Sequence, residues 1–289
     1  MKKIITISIL ILAIFSMSGC YQNDELEGSK ITTTVYPIEY LVSKLYGYNS
    51  KISSIYPNDT DVYEYKLTDK QLTDYSKNTN LFVYNGLTNE KEIARTLINK
   101  NKKIQILDVS YGLKYTYGIE ELWLSPNNYL MLANTIKKDL EELSSSKYTI
   151  EKIEENYNTL EEELSILDAK IKSIADSAKE QNRQTIIIGD DTFAFLETYG
   201  FKTISVAKEE NITSTIKTKF KNKEYTHIFV RSTKDVPDQI KDLVDNYNAT
   251  LVEIKTMNTL TDQERQNNDT YLTIMNDFIN DLSNTVLSK

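Results

Sequence analysis

The sequence predicts an α/β protein of two lobes, each a four-stranded, mainly parallel sheet with flanking helices, joined by one long helix. Three observations carry this expectation. There are two sets of four short β-branched runs, helical stretches lie between the runs, and one long stretch of helical periodicity separates the two sets.

The first set comprises Ile31–Val35, Ile52–Tyr56, Leu81–Tyr84 and Ile104–Leu107. The second comprises Thr185–Ile188, Thr203–Val206, His227–Val230 and Thr250–Ile254. The connections are long enough for helical crossovers, so each set reads as right-handed βαβ units. Residues 31–145 are expected to form the N-terminal lobe, 146–181 the linking helix and 182–289 the C-terminal lobe.

In the linking segment Ile153, Tyr157, Leu160, Leu164, Leu167, Ile171 and Ile174 alternate in steps of four and three, with Glu and Lys filling most other positions. Roughly three heptads is the least that supports a coiled coil, so a stripe packed along both lobes of a monomer is preferred to a dimer seam. A seam belonging wholly to the C-terminal lobe is the other alternative.

The amino terminus has Lys2 and Lys3, an apolar run from Ile4 to Phe15 and then Met17-Ser18-Gly19-Cys20. The apolar run is too short to span a bilayer and suits a secretory signal. The last four residues resemble the bacterial lipobox, with Met in place of the usual Leu or Val. The expectation is a lipoprotein signal peptide over 1–19, acylation at Cys20 and a flexible polar tether over 20–30. The protein would then lie outside the cytoplasmic membrane, anchored to its lipid bilayer.

Composition removes several functions. A net charge of −8 without a basic block argues against a nucleic-acid partner. One Cys and one His exclude a disulfide scaffold and a Cys/His zinc module. A mean hydropathy of −0.44 excludes a polytopic membrane protein. There is no Gly-rich phosphate loop, no GxSxG elbow and no His placed as a base beside a Ser, so an enzyme is not expected.

Two lobes create a cleft, and loops at the carboxyl ends of parallel strands point into it. Four such loops offer oxygen donors beside apolar anchors: Pro57 to Tyr65, Glu120 to Pro126, Gly189 to Phe193 and Lys255 to Leu260. Other motifs read as packing: His227 opens a strand, Met257 and Met275 belong to the core, and the Tyr-rich stretch from Tyr111 to Tyr117 packs as a loop.

Motifs along nearly the whole mature chain resemble the metal-binding lipoproteins of zinc and manganese ABC importers. They are Thr32-Thr33-Thr34-Val35-Tyr36-Pro37-Ile38, Leu81-Phe82-Val83-Tyr84-Asn85-Gly86, Trp123-Leu124-Ser125-Pro126, Phe193-Ala194-Phe195-Leu196 with Tyr199-Gly200, and Asp269-Thr270-Tyr271 with Met275. The resemblance implies two α/β lobes on a rigid helix, one cation in the cleft and an ABC permease as partner.

It also implies four side-chain ligands, and here every family position is changed. The first His position falls on Tyr63, the second on Glu121, the third on Asp190 and the fourth, usually Asp or Glu, near Asn258. Arg231 stands where a Glu is common. Such an all-oxygen set suits manganese, iron or another hard cation better than zinc. The alternatives are a metal site using Asp59, Asp61 or Glu64, or a degenerate paralogue that binds another solute or acts as an adhesin. In that case Asp190-Asp191 would only cap a helix, Glu120-Glu121 would be a solvated pair and Tyr63 one surface tyrosine of 20.

Overall fold

The structure, a computed structural model, describes residues 26–47 and 50–287. The signal peptide, Cys20 and the first half of the tether lie outside the described residues. Among the described residues no helix is long and apolar enough to cross a membrane.

In the N-terminal lobe the elements run β1 (Lys30–Thr33), α1 (Tyr36–Tyr46), β2 (Lys51–Ser54), α2 (Asp69–Asn78), β3 (Leu81–Tyr84), α3 (Glu90–Lys100), β4 (Gln105–Asp108), the single turn α4 (Glu121–Leu124) and α5 (Pro126–Leu143). The linking helix α6 spans Lys147–Glu180. The C-terminal lobe continues with β5 (Thr185–Ile188), a 3₁₀ helix at Asp191–Tyr199, β6 (Lys202–Ser205), α7 (Ser214–Lys221), β7 (His227–Val230), α8 (Asp238–Tyr247), β8 (Thr250–Glu253), α9 (Asp262–Asn267) and α10 (Tyr271–Leu287). The sheet orders are β2-β1-β3-β4 and β6-β5-β7-β8, and every pairing is parallel.

Both sheets therefore reverse direction of winding between their two central strands, which opens a crevice at the carboxyl ends of those strands. The central strands are mostly buried because helices cover both faces: β3 is buried at all four positions and β1 at three. Caps set the helix starts. The Thr68 hydroxyl accepts from Gln71 N–H while the Gln71 side chain accepts from Thr68 N–H, and Thr261 with Glu264 repeats the arrangement.

Helix α6 has 34 residues, a length of roughly 50 Å at 1.5 Å per residue. Its buried stripe includes Ile153, Leu160, Leu164, Leu167 and Ile171, with Tyr157 and Ile174 at the stripe's edge. The stripe packs on α1 and α5 of one lobe and on α10 of the other, so the seam is covered within the chain. Lys44 pairs with Glu163 at 2.9 Å, and Asn156 Nδ2 donates to the Leu45 carbonyl at 2.9 Å. These contacts fix α6 to α1.

One hydrophobic core runs through both lobes and the helix, and a smaller one fills the outer side of the second sheet. At the junction the Tyr129 and Tyr271 rings stack with centroids 4.0 Å apart. The Tyr129 hydroxyl donates to the Pro37 carbonyl and the Tyr271 hydroxyl to the Trp123 carbonyl, both at 2.7 Å. Each phenol is thus satisfied within the core, as a buried hydroxyl must be.

Candidate functional site

Five segments from the two lobes converge at the cleft. Asp190 follows β5 and Arg231 follows β7, and those strands are neighbours, so parallel register brings the two residues to the same edge. Gly189 makes the turn possible. A Cβ there would lie 2.8 Å from Ile240 Cδ1 and 2.9 Å from Val230 Cγ1, closer than real Cβ atoms come. Glu120 is delivered by the turn before α4, Tyr63 by the loop after β2, and Asn258 by the loop after β8. That last loop is held to the N-terminal lobe, because Tyr36 N–H donates to the Asn258 carbonyl at 3.1 Å and the Trp123 indole N–H to the Thr256 carbonyl at 2.7 Å.

At the centre lies the guanidinium of Arg231. Its Nε donates to Asp190 Oδ2 at 2.5 Å, and Nη1 donates to Glu120 Oε1. Its Nη2 donates to Thr192 Oγ1 at 2.6 Å and reaches Glu120 Oε2 and Asp190 Oδ1 at 3.3 Å each. The Tyr63 hydroxyl donates to Glu120 Oε1, and Asn258 Nδ2 lies 3.4 Å from the same oxygen. Asn258 Oδ1 is buried and has no hydrogen-bond partner. Asp190 Oδ1 also accepts from Thr192 N–H at 2.9 Å, so Asp190 caps the 3₁₀ helix and joins the cluster together.

The electrostatics follow from this packing. Burial pushes the Glu120 and Asp190 carboxyls upward, but the Arg231 hydrogen bonds and charge bring both below their ordinary values. Burial opposes the charge on Arg231, and the two carboxylates more than restore it. Burial, then the hydrogen bond and charge of Glu120, raise the Tyr63 phenol, so it stays neutral and donates. Two anions and one cation leave the cluster with a net charge near −1.

Of the residues expected from sequence, Tyr63, Asp190 and Asn258 meet here and Glu121 does not. The Glu121 side chain turns back, where its Oε2 accepts from Thr116 N–H at 2.9 Å and from Tyr117 N–H at 3.2 Å. Neighbouring side chains on a helical turn point about 100° apart, so capture of Glu121 by that loop sends Glu120 into the cleft. Within the cluster the place expected for Glu121 is occupied by its neighbour Glu120. Arg231 and Thr192 join the site without having been expected there. Of the other acidic candidates, Asp59 and Asp61 line a cavity of about 550 Å³ beside the cluster, together with Asp235, Glu253 and Lys255, and Glu64 is not part of its lining.

The Tyr63, Glu120 and Asp190 oxygens fit a cation in kind, whereas Asn258 faces Glu120 with Nδ2 and keeps its buried Oδ1 unpartnered. They are arranged around a guanidinium, however. Among the described residues no group of three or more His, Cys, Asp and Glu side chains is placed to hold a metal ion.

Two parallel-sheet lobes clamped by a long helix, with charged oxygens gathered between them, define a solute-binding protein of the rigid-helix type. The chain belongs to the family described as zinc-uptake complex component A, periplasmic (ZnuA), whose model matches residues 31–285. A protein of Chlamydia trachomatis, named provisionally as metal-binding, is 26% identical over 201 residues, covering 67% of this chain and 71% of that protein. The fold is similar to the metal-dependent lipoprotein YcdH of Bacillus subtilis, with a TM-score of 0.73, 19% identity and coverage of 90% and 99%. It is likewise similar to the Zn(II)-bound ZnuA-like domain of Streptococcus pneumoniae AdcA, with a TM-score of 0.72, 18% identity and coverage of 89% and 98%.

Proposed function

We propose that this chain is the extracytoplasmic solute-binding lipoprotein of an ABC importer, anchored through Cys20, and that its cargo is a hard cation taken between the lobes. The donor set is Tyr63, Glu120, Asp190 and Asn258, with Glu120 standing where the sequence suggested Glu121. Family membership supports the transport role. The observation that carries the cargo is the convergence of two carboxylates and a phenol from three loops, with the Asn258 side chain of a fourth reaching the same Glu120 oxygen through Nδ2 and keeping its Oδ1 unpartnered.

Oxygen donors and a −2 carboxylate charge suit manganese, ferrous iron or calcium, and no imidazole is present to favour zinc. Release to a membrane permease would come from small shifts of the cleft loops, because α6 and the shared core leave little room for wide hinging.

Arg231 favours a second reading, in which the guanidinium is permanent and the cleft holds another solute or none. Calorimetric titration of chelator-treated protein with manganese, ferrous iron and calcium separates the two. One ion bound per chain, with a rise in melting temperature, is the expected result. No heat and no shift with any of the three ions would end the cation reading.

A further inference from the structure

We infer that Arg231 is a built-in competitor for the cargo position: its guanidinium holds the place of the cation between Glu120 and Asp190, and cargo enters by displacing it. This rests on the cation reading above.

Three observations lead there. First, all three guanidinium nitrogens are spent on the two carboxylates and on Thr192, so a single side chain satisfies acceptors contributed by both lobes. A planar, permanently charged fork is suited to bridging two carboxylates in this way. Second, the charges balance in a telling manner. With Arg231 in place the pair carries −1, and with Arg231 removed it carries −2, the charge that a divalent ion neutralises.

Third, the displaced side chain has somewhere to go. Arg231 retains 29% side-chain exposure. It lines the 550 Å³ cavity that also contains Asp235 and Glu253. A rotation of Arg231 into that cavity would exchange one pair of carboxylates for another, without moving a strand. Glu120 cannot move in the same way, because its side chain is only 4% exposed and is held by Tyr63 and Asn258.

Such a competitor would keep the empty cleft closed in a cargo-like arrangement and would lower the apparent affinity for the ion. Affinity falls in proportion to the fraction of molecules whose site is free.

The test compares manganese binding by the full mature chain with Arg231→Met and Arg231→Lys. Met keeps the apolar stem without charge; Lys keeps the charge without the fork. Arg231→Met is expected to bind one manganese at least tenfold more tightly than the parent, with Arg231→Lys between them. Glu120→Gln added to Arg231→Met should abolish the gain. If Arg231→Met fails to fold alone, its refolding on addition of manganese gives the same answer, and its failure to refold while Arg231→Lys binds like the parent overturns the inference.

Binding by Arg231→Met alone, with none by the parent, overturns the inference, because the ion then does not displace Arg231, and it also rejects the cation reading for the parent. Equal affinity of parent and both variants overturns the inference and leaves the cation reading standing. No binding by any folded variant overturns both.

Discussion

Asp190 Oδ2 accepts a hydrogen bond from Arg231 Nε at 2.5 Å, across 41 residues of chain. Strand order makes the contact. β5 and β7 are adjacent although β6 intervenes in sequence, so the residues that follow them emerge side by side where the sheet changes its winding. The turn between Ile188 and Asp190 is closed by Gly189 N–H donating to the Phe229 carbonyl at 2.7 Å.

That close approach gives a direct expectation for Gly189→Ala. The added methyl meets Ile240 and Val230 side chains inside their contact distance. Overpacking of this kind costs about 1–3 kcal/mol. Urea unfolding should show the loss, and it should exceed that of Gly200→Ala if local crowding matters more than the left-handed backbone at Gly200, whose φ is 101°. A neutral Gly189→Ala would show that the Ile240 and Val230 side chains move aside at little cost.

Acid should weaken the Arg231 cluster. Both carboxyls lie below their ordinary values, so the unfolded chain takes up protons before the native one does. The cluster's stabilisation is complete above the ordinary carboxyl range near pH 4 and is lost as pH falls through the lower native values. Arg231→Met should remove this acid sensitivity. It should also cost about 2 kcal/mol at pH 7, a figure reduced from the 3–5 kcal/mol of a fully buried pair because Arg231 is partly solvated. Parallel pH–stability curves for parent and variant would contradict the pairing.

Trp123 ties the site to the body of the protein. Trp123→Phe keeps the ring but leaves the Thr256 carbonyl without its donor. An unsatisfied buried acceptor costs about 1–3 kcal/mol, and Thr256 is partly buried, so a loss of about 1 kcal/mol is expected. Because Asn258 is two residues further along, the variant should also weaken cation binding more than a distant variant of equal stability. Unchanged melting and affinity would mean that the indole bond does not position the loop.

The pattern-bearing parts of the fold were legible in the sequence. The β-branched runs and the 4-3 spacing from Ile153 to Ile174 depend on periodicity, which burial imposes directly. The cleft loops were legible too, because topology decides which strand ends face the crevice. Orientation within a loop was not. Glu120 and Glu121 are chemically identical neighbours, and only the Thr116 and Tyr117 N–H groups decide which one turns inward. Arg231 was seen as a departure from the family pattern, but its loop was not counted among those lining the cleft. The adjacency of β5 and β7 was the signal that would have placed it opposite Asp190.

Glu90 supplies a pH response of the opposite sign in a different window. The side chain is fully buried at the start of α3. Its Oε2 accepts from Gly86 N–H at 2.7 Å and from Asn85 and Leu87 N–H at 3.3 Å, while the Tyr56 hydroxyl donates to Oε1 at 3.3 Å. Burial outweighs these bonds and lifts the carboxyl from 4.5 to about 7. A raised native value means the folded chain holds its proton longer than the unfolded one. The stabilisation is therefore complete below about pH 4.5 and lost as pH rises through 7. At about 1.4 kcal/mol per pH unit the loss reaches roughly 3 kcal/mol by pH 8. Glu90→Gln keeps a carbonyl oxygen facing the three N–H groups and cannot ionise. Denaturant titrations should show the parent losing stability between pH 5 and pH 8 while Glu90→Gln stays nearly flat. A constant difference between the two across that range would mean that Glu90 is already ionised at pH 5, with the N–H cradle outweighing burial.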